Sequence, residues 1–336
     1  MRAPASTILS NAEWLAHRYD PTGDAFHFRH VPRRRHAEVP FLTDECLGEA
    51  KQVEPVARAL AAPAAPAGTL HFIFHSAFCA STMLVRALDT PGSAMGLSEP
   101  VALNDLVGWR RRGAEPEAYG RVLADTLGQL ARPFRPGEPV VVKPSNILNP
   151  LAGAILSLRP EARAILLYAP LPVFLASVAR KGLWCRLWAR ELLEGQLRDG
   201  IVHLGFEPGD FFRQSDLQVA AVGWLAQQAL FARLTASFPG RVVTLDSQRL
   251  TEAPAATAAA VARHFQLEVD DSTLDHHPAI RRDSKSGASF TTGQRARDQA
   301  DAQLAYRDEL EKVEIWARSV AANAGVELAP GPALPK

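Results

Sequence analysis

The chain is poor in cysteine and in net charge, and each shortage removes a class of protein. Three cysteines in 336 residues, Cys46, Cys79 and Cys185, have neither the even count nor the spacing of a disulfide framework, which fits a reducing cytoplasm. Lysine and arginine total 37 against 36 acidic residues, a net charge of +1, so no whole-molecule field gathers nucleic acid or an anionic membrane. No stretch reaches the roughly 20 apolar residues of a membrane-spanning helix. The start, Met1-Arg2-Ala3-Pro4-Ala5, runs into polar Asn11-Ala12-Glu13 instead of an apolar signal core. A soluble, cytoplasmic, unexported protein is expected.

What is present is an ordinary globular composition, 47% hydrophobic and 22% charged, enough for a large packed core. Residues 1–54 read as an N-terminal appendage with its own apolar residues (Trp14, Leu15, Phe26, Phe28, Val31, Phe41, Leu42) and a basic run from His30 to His36. Residues 55–68 are rich in alanine and proline and read as a linker, because prolines at this density break a regular helix. The main domain, 69–326, alternates strand and helix, and 327–336 read as a disordered tail.

Within that domain Leu70-His71-Phe72-Ile73-Phe74, Pro139-Val140-Val141-Val142-Lys143, Ala164-Ile165-Leu166-Leu167-Tyr168 and Arg241-Val242-Val243-Thr244-Leu245 are nearly continuous apolar runs. Such runs suit strands buried on both faces. Helical spacing fills the intervals, notably from about Arg213 to Phe238. The expected fold class is α/β, a central and mostly parallel sheet flanked by helices.

Ligands of such sheets sit beyond the carboxyl ends of the strands. After the first strand comes His75-Ser76-Ala77-Phe78-Cys79-Ala80-Ser81-Thr82, leading into Met83-Leu84. Small residues allow close backbone approach to an anion, and amide hydrogens at a helix start favour negative charge. Phe78, Cys79, Ala80, Ser81 and Thr82 are the expected cradle. The loop has no G-x-x-x-x-G-K-[ST] pattern, so ordinary ATP or GTP hydrolysis, and a phosphotransferase built on it, fits poorly.

With these elements in order, the chain resembles the P-loop sulfotransferase superfamily, which uses 3′-phosphoadenosine 5′-phosphosulfate (PAPS). That family carries a strand leading to a loop of the P-R-S-G-T-T type followed by L-L, where this chain has Ala77 to Leu84. Its second motif is a strand ending in lysine, matched by Val141-Val142-Lys143. Its third is a strand leading to an arginine, then a 3′-phosphate-binding serine. Ala169 stands at the arginine's place and Ser177 at the serine's. Ser284 to Phe290, with Lys285 and Gly287, resembles the loop that closes over the nucleotide. The likeness spans roughly Leu70 to Phe290 and implies a P-loop-like sulfotransferase fold.

Three positions depart from the pattern. Phe78 replaces the basic residue of the first loop, Ala169 the arginine, and Ser145 the histidine that serves cytosolic members as base. Each missing cation removes a charge-assisted hydrogen bond of about 1.5–3 kcal/mol. Losing two weakens donor binding by roughly two to four powers of ten unless other cations compensate. Arg86, Arg180, Lys181, Arg281, Arg282 and Lys285 are the candidates.

The resemblance implies PAPS as co-substrate, with no metal, and a small-molecule or glycan hydroxyl as acceptor. Lys143 would steady the sulfuryl group. Glu99, in Gly96-Leu97-Ser98-Glu99-Pro100, would be the base, since some carbohydrate sulfotransferases use a glutamate from this region; His75 is the second candidate. Cys79, near a helix start, lacks a sequence-adjacent base other than His75 and reads as a packed loop residue. Trp109-Arg110-Arg111-Arg112 reads as an exposed helix end. No nucleic acid and no membrane span are expected, and a homo-oligomer is allowed. The alternative is a non-catalytic protein of the same fold that binds a partner, motivated by the three replacements and the N-terminal unit.

Overall fold

The computed structural model describes residues 3–65, 68–281 and 292–335. Two sheets form the frame. The N-terminal sheet is antiparallel, in the order β1 (Trp14–Asp20), β2 (Ala25–His30), β3 (Val53–Ala57). The main sheet has five parallel strands: β4 (Leu70–His75), β5 (Met95–Ser98), β6 (Val140–Lys143), β7 (Ala164–Tyr168) and β8 (Val242–Asp246). Their spatial order is β5-β6-β4-β7-β8. Every residue of β4, β6 and β7 is buried, as apolar runs without alternation require.

Helices fill the connections: α1 (Ser81–Leu88), α2 (Val101–Arg111), α3 (Pro116–Leu130), α4 (Ala152–Leu158), α5 (Leu171–Arg180), α6 (Gly182–Arg198), α7 (Asp216–Ser237) and α8 (Pro254–His264). The start of α7 is set locally. Ser215 accepts from the Gln218 amide while the Gln218 side chain accepts from the Ser215 amide, a reciprocal cap. Among the described residues, no helix is long and apolar enough to cross a membrane.

The chain leaves β4 toward β5 on one side and leaves β7 toward β8 on the other. The carboxyl ends of β4 and β7 therefore flank a topological switch point, where open α/β sheets bind ligands. The central sheet puts the loop after β4 at the middle of that edge.

Two boundaries differ from the sequence reading. Residues 53–57, partly assigned to the linker, form β3, with Pro55 opposite His27. Proline is tolerated there because β3 is an edge strand and needs no donor on its outer side. The N-terminal unit is also no detached appendage. Trp14, Phe26 and Phe28 belong to the same continuous core as Phe72, Leu103 and Leu127.

Polar ties reinforce that shared core. Buried Arg132, just past α3, donates to the carbonyls of Ile8 (3.0 Å), Leu9 (3.2 Å) and Trp14. Arg18 of β1 forks onto Asp105 of α2 at 2.8 and 2.7 Å. Arg58 reaches Asp125 of α3 at 2.7 Å.

The C-terminal tail, expected to be disordered, is docked instead. The Thr244 amide donates to Pro332 O (2.9 Å) and the Leu334 amide to Thr244 O (2.8 Å), so the tail runs parallel to β8. Arg249 secures it through the carbonyls of Leu334 and Pro335, and the Leu334 side chain is buried. An edge strand with open ladder groups and a short apolar segment are mutually complementary, which composition alone does not reveal.

Candidate functional site

The loop after β4 is wound in an uncommon way. Ala77, Phe78 and Ala80 have φ of 74°, 53° and 63°, the left-handed region. None is glycine, so each carries a strain of about 1–2 kcal/mol. Successive turns of this kind curl backbone amides into a concavity suited to an anion. Ala80 is the N-cap of α1 and no side chain caps that helix. Among the described residues, the amides of Ala80, Ser81 and Thr82 find no acceptor, and the same holds for the two hydroxyl groups.

His75 holds the loop's entry. Its Nδ1 accepts from the Ala77 amide at 3.1 Å, so Nε2 carries the proton it donates to Pro144 O at 3.0 Å. Both ring nitrogens are thereby engaged with backbone, and the ring is buried. Asn149 fixes the same strand end by donating to His75 O and to Gln227 Oε1, each at 2.9 Å. Asn149 was missed by sequence reasoning: its neighbours suggest only a turn before Pro150.

Phe78 lies where the family's basic residue was expected. Its ring packs against Phe174 of α5 (5.7 Å) and Trp188 of α6 (5.5 Å). Lys181 Nζ stands 5.8 Å from the ring centroid, which brings one of the proposed compensating cations beside the loop. Cys79 is buried. Arg86 lies in the last turn of α1 and donates to Ala37 O of the N-terminal unit. Arg180 is exposed at the end of α5. Arg282, Lys285 and Gly287 lie outside the described residues, as does the side chain of Arg281.

The segment after β7 is closed. Ala169 is fully buried; its amide donates to Ser76 Oγ at 3.1 Å and its carbonyl accepts from Trp224 Nε1 at 2.9 Å. Ser177 sits nearly two helical turns into α5 and donates its hydroxyl to Val173 O at 2.7 Å.

At the ends of β5 and β6, Glu99 and Lys143 meet. Ser98 pairs with Lys143 across the two strands, and the Glu99 amide donates to Lys143 O at 2.6 Å. Lys143 Nζ is in direct contact with Glu99 Oε1. The Lys143 side chain is 1% exposed and that of Glu99 is 18% exposed, so the carboxylate is the member of the pair that solvent reaches. Glu99 itself is left-handed (φ 51°). A third group comes from the N-terminal unit: Lys143 Nζ lies 5.0 Å from the ring centroid of Phe41. Ser145, at the place of the cytosolic family's base, stands at the N-cap position of the 3₁₀ turn Asn146–Leu151 without a side-chain capping bond. The arginines ending α2 are tied elsewhere, Arg111 bonding Asp199 at 2.6 Å and Arg110 approaching it at 3.6 Å.

The fold and site thus define a parallel α/β protein with an amide-lined loop at its switch point and a lysine–glutamate pair beside it. No protein-family profile and no curated protein matches the chain. Two solved structures to which it is similar are sulfotransferases. One is the sulfotransferase domain from the curacin biosynthetic pathway, at 13% identity and TM-score 0.43, covering 77% of this chain and 98% of that one. The other is sulfotransferase STF1 from Mycobacterium tuberculosis H37Rv, at 15% identity and TM-score 0.39, covering 73% of this chain and 83% of that one.

Proposed function

We propose that the chain is a sulfotransferase, moving a sulfuryl group from PAPS to a hydroxyl of a small molecule or glycan. The observation that carries this reading is the set of acceptor-free amides at Ala80, Ser81 and Thr82, next to the Lys143–Glu99 pair. Loop amides at a helix start fit the 5′-phosphate end of the donor, where negative charge grows as the sulfuryl group departs.

In the reaction the bond from sulfur to the donor's phosphate oxygen breaks and a bond from sulfur to the acceptor oxygen forms. Glu99 takes the proton of the acceptor hydroxyl, being the solvent-reached carboxylate of the pair. Lys143 donates to the sulfuryl oxygens and keeps Glu99 oriented. His75 is a positioning residue in this scheme, since its nitrogens hold the Ala77 amide and Pro144 O. Ser177 and Lys181, with Lys285 and Gly287, would serve the 3′-phosphate end. The buried Ala169 supplies no cation there, so this end is the weaker grip.

Calorimetry with adenosine 3′,5′-bisphosphate tests the donor half. Saturable binding at or below about millimolar concentration is expected, weaker than an intact cation set would give. No heat at several-fold higher concentration would overturn the reading. The closed segment at Ala169 favours one second reading, a non-catalytic protein of this fold that binds a partner. Detection of a sulfated product by mass spectrometry would exclude it.

A further inference from the structure

The N-terminal unit reaches the site through one short strap, and that strap is held at both ends. The Leu42 amide donates to Ser98 O at 2.7 Å, stitching the strap to the last residue of β5, and the Leu42 side chain is buried. Two residues on, the Asp44 carboxylate receives His17 Nε2 at 2.6 Å and an Arg18 nitrogen at 2.8 Å, with an Arg29 nitrogen at 3.5 Å. Arg18 in turn forks onto Asp105 of α2. Phe41 directly precedes Leu42, and on its other side the Ala37 carbonyl accepts from Arg86 of α1. A side chain borne on a doubly tied strap is preorganised.

Its position is specific. The ring is half-buried and lies 5.0 Å from the Lys143 ammonium, whose carboxylate partner is the proposed base. The ring thus stands at the ammonium that holds the proposed base, within reach of a group bonded there. A phenyl face offers an acceptor stacking and apolar contact but no hydrogen bond, and such contacts prefer an aromatic or apolar neighbour. A free sugar would leave its hydroxyls unmatched on that side.

We propose that Phe41 is an acceptor-binding residue: the N-terminal unit supplies one wall of the acceptor pocket and selects an aromatic or apolar hydroxyl compound over a free sugar. This rests on the sulfotransferase reading only for the identity of the reaction; the binding wall is separately measurable. It turns a unit that the sequence sets apart into half of the acceptor site.

Calorimetry on the full chain with 2-naphthol and with glucose as probes tests it, alongside adenosine 3′,5′-bisphosphate. The wild-type chain is expected to bind 2-naphthol saturably and glucose at least about tenfold more weakly, as a phenyl wall dictates. Phe41→Ala should raise the 2-naphthol Kd about tenfold and Phe41→Tyr less than about threefold, with bisphosphate affinity within about twofold throughout. Should Phe41→Ala fail to fold by circular dichroism, Phe41→Leu, which keeps bulk without the ring, should still weaken 2-naphthol about fivefold. An unchanged 2-naphthol Kd in the folded variant, no 2-naphthol binding to the wild type, or equal binding of glucose overturns the proposal. Bisphosphate binding that fails while the Phe41 dependence persists would sink the sulfotransferase reading and leave the acceptor wall standing.

Discussion

The loops after β4 and after β7 leave neighbouring parallel strands at the same edge of the sheet, yet they present their backbone donors differently. After β4, left-handed turns at Ala77, Phe78 and Ala80 leave the Ala80, Ser81 and Thr82 amides without acceptors among the described residues. After β7, fewer donors are left. Ala169 N–H is bonded to Ser76 Oγ, and Pro170 and Pro172 have no N–H at all. Position at a strand end is thus only a permission. What makes a cradle is the number of backbone donors left unspent, and the loop after β4 keeps more of them than the segment after β7, at the expense of strain.

The comparison can be broken most forcefully at Trp224, whose indole closes the second loop through Ala169 O. Trp224 is fully buried, so Trp224→Ala should cost about 3–5 kcal/mol in urea unfolding. If the closure is as local as the hydrogen bonds imply, bisphosphate binding at the first loop should survive in whatever fraction stays folded.

Next comes the chemistry beside the open loop. Lys143→Met keeps much of the volume of a side chain that is 1% exposed but removes its charge. Turnover of sulfuryl transfer should fall roughly 10²–10³-fold, as for loss of one preorganised donor to a developing charge. A variant with undiminished turnover would assign the sulfuryl contact elsewhere.

Acid sharpens the contrast between the two ends of β4. His75, at the loop, is spent on backbone bonds, whereas His71 at the other end is stacked on Phe265 at 5.0 Å. Burial, with smaller contributions from His264 and Arg163, pushes the His71 imidazole down to about 4. Burial does the same to His36, which packs edge-on to Phe134 in the N-terminal unit. Both rings are neutral when folded, so the unfolded chain binds more protons between the ordinary histidine value and about 4. Stability therefore falls as pH drops through that window and is unaffected above it. At about pH 5.5 each ring should remove roughly 1–1.5 kcal/mol, read as a lower urea midpoint than at about pH 7.5. His17, His264 and His277 are also lowered by burial and add to the slope, so His71→Gln should flatten it only in part; an unchanged profile would place the acid sensitivity elsewhere.

The smallest effect concerns the strain itself. Ala80→Gly relieves a left-handed alanine at φ 63° and should stabilise by up to about 1 kcal/mol, less the added freedom of the unfolded chain. A destabilised variant would mean that the Ala80 methyl, not its backbone angle, is what the loop requires.

Much of this architecture was readable from the chain itself. Runs such as Val140-Val141-Val142 and Ala164-Ile165-Leu166-Leu167 are too apolar to alternate, so they had to be interior strands. The long helix read from about Arg213 to Phe238 is α7, and its start falls a few residues later, where Ser215 and Gln218 cap each other. The loop at Ala77 to Thr82 and the lysine ending β6 were legible for the same reason: their placement follows from strand ends. Phe41 was visible as an apolar residue and nothing more. Its meeting with Lys143 joins positions far apart in the chain, and no local pattern encodes that.

The order of residues, then, decided where strands and helices begin and which short segments have small side chains and few cations. Those are nearest-neighbour properties of a polymer. Only tertiary packing decided which amides stay unpaired, that Ala169 is sealed by Ser76 and Trp224, that Glu99 meets Lys143, and that the tail covers β8. Each of those outcomes is a competition among groups brought together from distant parts of the chain, and such a competition has no result until the chain is folded.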